Sequence, residues 1–218
     1  MQPRVAMARG QCRSGKVHAD SIPHQAPARY FDKKFNCEAV KIGPGEYFVT
    51  ARDMLIVTVL GSCVSVCLRD PIANIGGMNH FMLPNAERED TPVSSSARYG
   101  SYAMDILINH LLKLGALRSR LEAKVFGGGR VLPGFNVNNV GERNSEFILH
   151  YLETERISVQ AQDLLDVYPR KVYFFPASGR VLVRKLKSLH NNTIIDRELE
   201  YRQRLKKTEV EGDIELFS

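Results

Sequence analysis

The stretch LGSCVSVCLRD, residues 60–70, constrains the fold more than any other part of the chain. Runs of β-branched residues stand on both sides of its break, IVTV before and VSVCL after, and the alternating valines of the second suit a half-buried strand. Gly61-Ser62 interrupts what would otherwise be one strand. Asp70-Pro71 then opens a turn, and Ile75–Leu83 reads as the strand that returns. The chain is thereby committed to a sheet that bends at Cys63 and doubles back antiparallel. Gly76-Gly77 lies early in the return strand, where glycine marks a bulge or a close backbone approach.

The remaining pattern extends this sheet. Strands are expected at roughly 45–50, 54–59, 122–126, 157–163, 171–175 and 180–186, with PASG at 176–179 as a hairpin loop between the last two. Tyr99, Tyr102, Ile106, Leu107, His110, Leu111 and Leu114 recur at helical spacing, and Gly115 stops that helix. A second helical pattern runs through Val140, Asn144, Phe147, Ile148, Tyr151 and Leu152. Short turns between successive strands favour antiparallel pairing, so the fold class is α+β: mostly antiparallel or mixed β-sheets with two covering helices. Residues 1–39 show no period and read as a disordered extension, with the domain spanning 40–188. Residues 189–218 carry mixed charge and read as a tail, partly helical or disordered.

Composition removes several function classes. No apolar run approaches the roughly 18 residues of a membrane span. The first twenty residues hold basic side chains without an apolar core, so no secretory signal is expected and a cytoplasmic location is. The net charge is +6, with Arg4, Arg9, Arg13, Lys16, Arg29, Lys33 and Lys34 against Asp20 and Asp32 at the N-terminal end. A solvated basic tail explains this better than nucleic-acid binding, because no aromatic-interleaved patch accompanies it. The four cysteines are Cys12, Cys37, Cys63 and Cys67. Extended chain would hold Cys63 and Cys67 about 13 Å apart, beyond the roughly 7 Å limit of a disulfide. Neither a disulfide framework nor a metal site is expected.

Cys63 follows Gly-Ser directly at a strand exit, where a sharp turn lifts a side chain out of the sheet and turns backbone N–H groups toward the same space. A buried, inert thiol is the plainer alternative. Of the histidines, His110 and His150 lie on the helical patterns and suit structural roles. His80 differs, because strand return brings it back past the strand that begins at Cys63. Thr58, Ser62 and Ser65 are hydroxyls available to orient it, although Thr58 equally suits an ordinary strand position. The backbone of Gly61 and Ser62 is the candidate oxyanion cradle. GGGR at 127–130 lacks the lysine-hydroxyl pair of a phosphate loop, which leaves Gly127, Gly128 and Gly129, with the 85–98 loop, as a candidate rim.

Together LGSCVSVCLRDP, IGGMNHFMLP, RYGSYAMDILINHLLKLGA, KVFGGGRVL and VYFFPASGRVLVRKL resemble the chemoreceptor glutamine deamidase family, CheD, over about residues 45–187. The resemblance implies a cysteine-hydrolase-like sandwich that converts glutamine side chains of methyl-accepting chemotaxis receptors to glutamate, and in some members hydrolyses glutamyl methyl esters. It implies Cys63 as nucleophile, His80 as general base, no cofactor, and a receptor as partner, joined in some members by a CheC-type phosphatase. The family's third catalytic residue is a threonine just upstream of GSC. One arrangement of that motif falls on Val57, and Thr58 is the nearest hydroxyl; a one-residue step on a strand reverses the face. The alternative reading is a non-catalytic adaptor that binds receptors or the phosphatase.

Overall fold

The structure, a computed structural model, describes residues 27–84, 95–131, 140–187 and 192–207. Ten strands form two five-stranded sheets among these residues. The first sheet has the order β1 (Ala28–Asp32), β2 (Cys37–Lys41), β4 (Leu55–Leu60), β9 (Arg170–Phe175), β10 (Arg180–Lys185). The second has the order β3 (Tyr47–Thr50), β6 (Ile75–Asn79), β5 (Val64–Asp70), β7 (Glu122–Gly127), β8 (Ser158–Leu164). Helices α1 (Ser95–Lys113), α2 (Val140–Thr154) and α3 (Asn192–Lys207) complete the described fold. None is long and apolar enough to cross a membrane.

Strand periodicity sorts the side chains into layers. On β5, Val64, Val66 and Leu68 face α1 and α2, where they pack with Met104, Leu107, Leu111, Ile148 and Leu152. The alternate β5 residue Cys67, with Cys63 at the turn, faces the first sheet and packs with Ile56 and Leu60 of β4 and Val172 and Phe174 of β9. The order is therefore helices, second sheet, first sheet. Each wholly buried aliphatic or aromatic side chain in these layers contributes about 1.5–3 kcal/mol.

The α+β expectation of mixed sheets holds, with two differences, at the start of the first sheet and in the charged tail. The first sheet begins at Ala28, so residues 28–39 are strand and turn rather than extension: β1 pairs antiparallel with β2 across a turn where Asn36 has a positive φ of 51°. Residues 1–26 lie outside the described residues. Two pairs are parallel, β2 with β4 and β7 with β8, the latter joined by α2 as a crossover. Finally, a third helix lies in the stretch read as a charged tail. The ladder between β5 and β6 runs without a bulge, pairing Arg69 with Gly76 and Leu68 with Gly77. The glycines serve close approach instead: a Cβ on Gly77 would stand 2.6 Å from Val49 Cγ1.

Candidate active site

The site opens where β4 leaves the first sheet and β5 enters the second. β6 ends at Asn79, and an isolated bridge between Val64 and Phe81 continues the antiparallel register beyond it. That register makes Cys63 and His80 diagonal neighbours on the face turned toward the first sheet. Thr58 reaches the same gap from the opposite side, on the inward face of β4. Val57 points outward and packs with Ala39, Leu55 and Tyr173. Alternation along β4 thus turns Thr58, and not Val57, toward His80.

The hydroxyl of Thr58 donates to the Ile42 carbonyl at 2.9 Å, and its oxygen lies 2.8 Å from His80 Nδ1. With its own proton committed to Ile42, the Thr58 oxygen accepts from Nδ1–H, which leaves Nε2 as the unprotonated nitrogen. His80 Nε2 is buried and has no hydrogen-bond partner. Burial lowers the imidazole pKa to about 3, so His80 is neutral.

The turn itself is held from behind. Gly129 N–H donates to the Gly61 carbonyl, Asn144 Nδ2 to the Ser62 carbonyl and Gly128 N–H to the Cys63 carbonyl, at 2.8, 2.9 and 2.8 Å. Asn144 is fixed in turn by accepting Leu83 N–H at 2.9 Å. Glycine is required in the brace: Gly127 has a φ of +116°, and a Cβ there would stand 2.2 Å from the Cys63 carbonyl oxygen. Gly127, Gly128 and Gly129 are buried and brace the turn, where the sequence suggested a rim. Residues 85–94 of the other rim candidate lie outside the described residues.

With its carbonyls taken behind, the turn presents three successive N–H groups in front, and all three meet one carboxylate. Glu198 of α3 accepts Gly61 N–H and Cys63 N–H on Oε1, at 2.9 and 3.1 Å. Its Oε2 accepts Ser62 N–H and Ser62 Oγ–H, at 2.8 and 2.7 Å. Cys63 Sγ, a His80 ring nitrogen and a Glu198 oxygen lie within 4.8 Å of one another. A thiol, an imidazole and a carboxylate are also a metal-ligand set, but four donors already fill the carboxylate's roughly four acceptor positions. Burial, with the adjacent Glu198 charge, pushes the Cys63 thiol well above its ordinary pKa.

Neither Glu198 nor Asn144 was singled out as a site residue from sequence. Ser65 donates to the Asn79 carbonyl instead of reaching His80. His110 pairs with the Tyr47 hydroxyl, and His150 is exposed on α2. Cys67 is a buried core thiol, and Cys12 lies outside the described residues.

A family model described as CheD chemotactic sensory transduction matches residues 82–185. A protein of Methylobacillus flagellatus named probable chemoreceptor glutamine deamidase CheD is 63% identical over 86% of this chain and 94% of its own length. The chain belongs to the CheD family. Relatives with the same name stem occur in Herminiimonas arsenicoxydans, 60% identical over 89% of this chain and 97% of theirs, and in Shewanella oneidensis, 62% over 88% and 93%. Of the motifs read in the sequence of this CheD chain, LGSCVSVCLRDP holds Cys63 and IGGMNHFMLP holds His80, and Thr58 stands two residues before the first.

Proposed function

We propose that the chain deamidates glutamine side chains of chemoreceptors, with Cys63 as nucleophile, His80 as general base and Thr58 as the positioning residue behind His80. The observation that carries this reading is the convergence of a thiol, an unpartnered imidazole nitrogen and three backbone N–H groups at one bend. The names of the relatives support the substrate class. A complete set of reacting groups favours an enzyme over an adaptor.

The geometry supports the following sequence. His80 Nε2 takes the Cys63 proton, and the thiolate adds to the carboxamide carbon. Charge develops on the carboxamide oxygen, which the N–H groups of Gly61, Ser62 and Cys63 receive; losing one such donor typically costs about 2.7–4 kcal/mol. His80 returns the proton to the nitrogen, the C–N bond breaks, ammonia leaves and a thioester remains. Water, giving a proton to His80, adds to the thioester; the C–S bond breaks, and glutamate and the free thiol result. A glutamyl methyl ester follows the same path with methanol leaving.

Mass spectrometry of a receptor cytoplasmic fragment incubated with the protein tests this reading. Glutamine-to-glutamate conversion is expected with the native chain and lost in Cys63→Ala and His80→Ala. Undiminished conversion by Cys63→Ala would overturn it.

A further inference from the structure

The carboxylate in the oxyanion cradle belongs to a helix of the same chain, and it has the chemical form of the reaction product. α3 meets the body of the protein through Glu198, Tyr201 and Leu205, at spacings of three and four, with Ile194 half-buried one turn before them. Glu198 and Tyr201 are the deeply buried members, and Leu205 packs at the edge of the core between the sheets. Asp196, Arg197, Glu200, Gln203 and Arg204 face outward. The hold is narrow, resting on few residues, because both sheets and α1 and α2 build their cores almost wholly from other residues.

The groove beneath the stripe is shaped for a helix with a carboxyl-sized side chain. Gly61 lies where a Cβ would stand 2.7 Å from Glu198 Oε2, so only a residue without a side chain lets the group reach the N–H donors. One turn along, the Tyr201 ring sits over Gly45, which has a φ of +83° and would place a Cβ 2.9 Å from that ring. The Tyr201 hydroxyl is hydrogen-bonded to the Tyr99 hydroxyl of α1. Docking also brings Arg197 close enough to Lys41 to lower the lysine's pKa, after burial the largest cause. A helix held by a product-like carboxylate and one aromatic, against a like-charge contact, is an occupant that a competitor can displace.

We propose that α3 occupies the groove that receives the substrate helix, with Glu198 seated where the product glutamate rests, so that a receptor helix must displace α3 before deamidation. The proposal rests on the deamidase reading above. It defines the resting state as self-blocked. It also gives the shape of the preferred substrate: a helix whose target glutamine is followed three residues later by a side chain that fits the slot between Gly45 and Tyr99.

The full-length variant Glu198→Gln turns the occupant into a substrate. Thiolate addition at that carboxamide, loss of ammonia and hydrolysis of the thioester restore a carboxylate, consuming one water. Peptide mapping is expected to find glutamate again at position 198, formed at a rate independent of protein concentration, and glutamine retained when Cys63→Ala is added. In parallel, Tyr201→Ala, which leaves Cys63, His80 and the N–H donors in place, is expected to raise the rate of receptor-fragment conversion about tenfold by freeing the groove. Glutamine that persists at position 198 in a preparation that still converts the receptor fragment overturns the seating of α3 and leaves the deamidase reading intact. A Tyr201→Ala rate equal to or below that of the native chain overturns the self-block. Absence of conversion at both places overturns the deamidase reading, and this proposal with it.

Discussion

The two sides of the Gly61–Cys63 turn are held in different ways. Behind it, three carbonyls are taken by Gly129, Asn144 and Gly128, groups of the buried glycine run that leaves β7 and of α2. In front, three N–H groups are taken by one side chain from a helix near the C-terminal end, 135 residues from Cys63. The rear contacts leave no space for variation, while the front contact has the chemistry of something that a reaction would produce and release. A turn fixed from one side can keep its donors aimed while their occupant changes. That is the preorganisation an oxyanion site requires.

The sharpest way to break the contrast is at the rear. Gly127→Ala puts a Cβ 2.2 Å from the Cys63 carbonyl oxygen at a φ of +116°, and a cost above about 4 kcal/mol is expected. Thermal denaturation should show a loss of about 10 °C or more, or no folded protein; a near-native midpoint would mean that the brace is not rigid. Next, Thr58→Val keeps the shape of the strand but leaves the buried His80 Nδ1–H unsatisfied, at about 1–3 kcal/mol. Conversion of a receptor fragment should fall about tenfold to a hundredfold in kcat/KM, with Thr58→Ser recovering most of it. Equal rates for Thr58→Val and the native chain would remove Thr58 from the site.

A third effect concerns pH. Because burial lowers the His80 pKa to about 3, the unfolded chain binds the extra proton between about pH 6.5 and 3 while the folded chain does not. The stability contributed by neutral His80 is present above about pH 6.5 and lost as pH falls toward 3. The slope is about 1.4 kcal/mol per pH unit, and denaturant titrations should find it reduced by one proton in His80→Asn. The smallest effect is expected beside the brace. Arg130 ends the glycine run, and its side chain pairs with Glu142 at an exposed position, 66% and 44% accessible. Arg130→Ala should change stability by less than about 1 kcal/mol, because the main chain, not this side chain, supports the turn. A larger loss would move part of the brace to the surface.

Much of the site is legible in the sequence because its central part is local. The Gly-Ser-Cys break, the Asp70-Pro71 turn and the return strand bring Cys63 and His80 together through ordinary antiparallel register. Thr58 required one more fact, which face of β4 looks between the sheets, and that depends on the packing of β9 and β2 beside it. Asn144 carried a readable signal: a polar residue at an apolar position of the second helical pattern, as a buried, fully bonded amide would be. Glu198 gave a fainter one. DRELEYRQRLKK reads as mixed charge, and only the spacing of Ile194, Glu198, Tyr201 and Leu205 hints at a buried stripe. Its partner is a turn far away in sequence, which no local pattern can name. β1 was missed for the same reason, since its pairing depends on a single Asn36 turn and on a sheet completed by strands more than a hundred residues on.

The most direct test of the central claim, that the braced turn carries out deamidation through Cys63, is partitioning of the intermediate with hydroxylamine. A receptor fragment is incubated with the native chain, and the target residue is read by mass spectrometry with and without hydroxylamine. A Cys63 thioester predicts that a hydroxamate appears at the target position at the expense of glutamate, and that neither product forms with Cys63→Ala. Glutamate alone at every hydroxylamine concentration, with ammonia released equally by Cys63→Ala, would contradict the account.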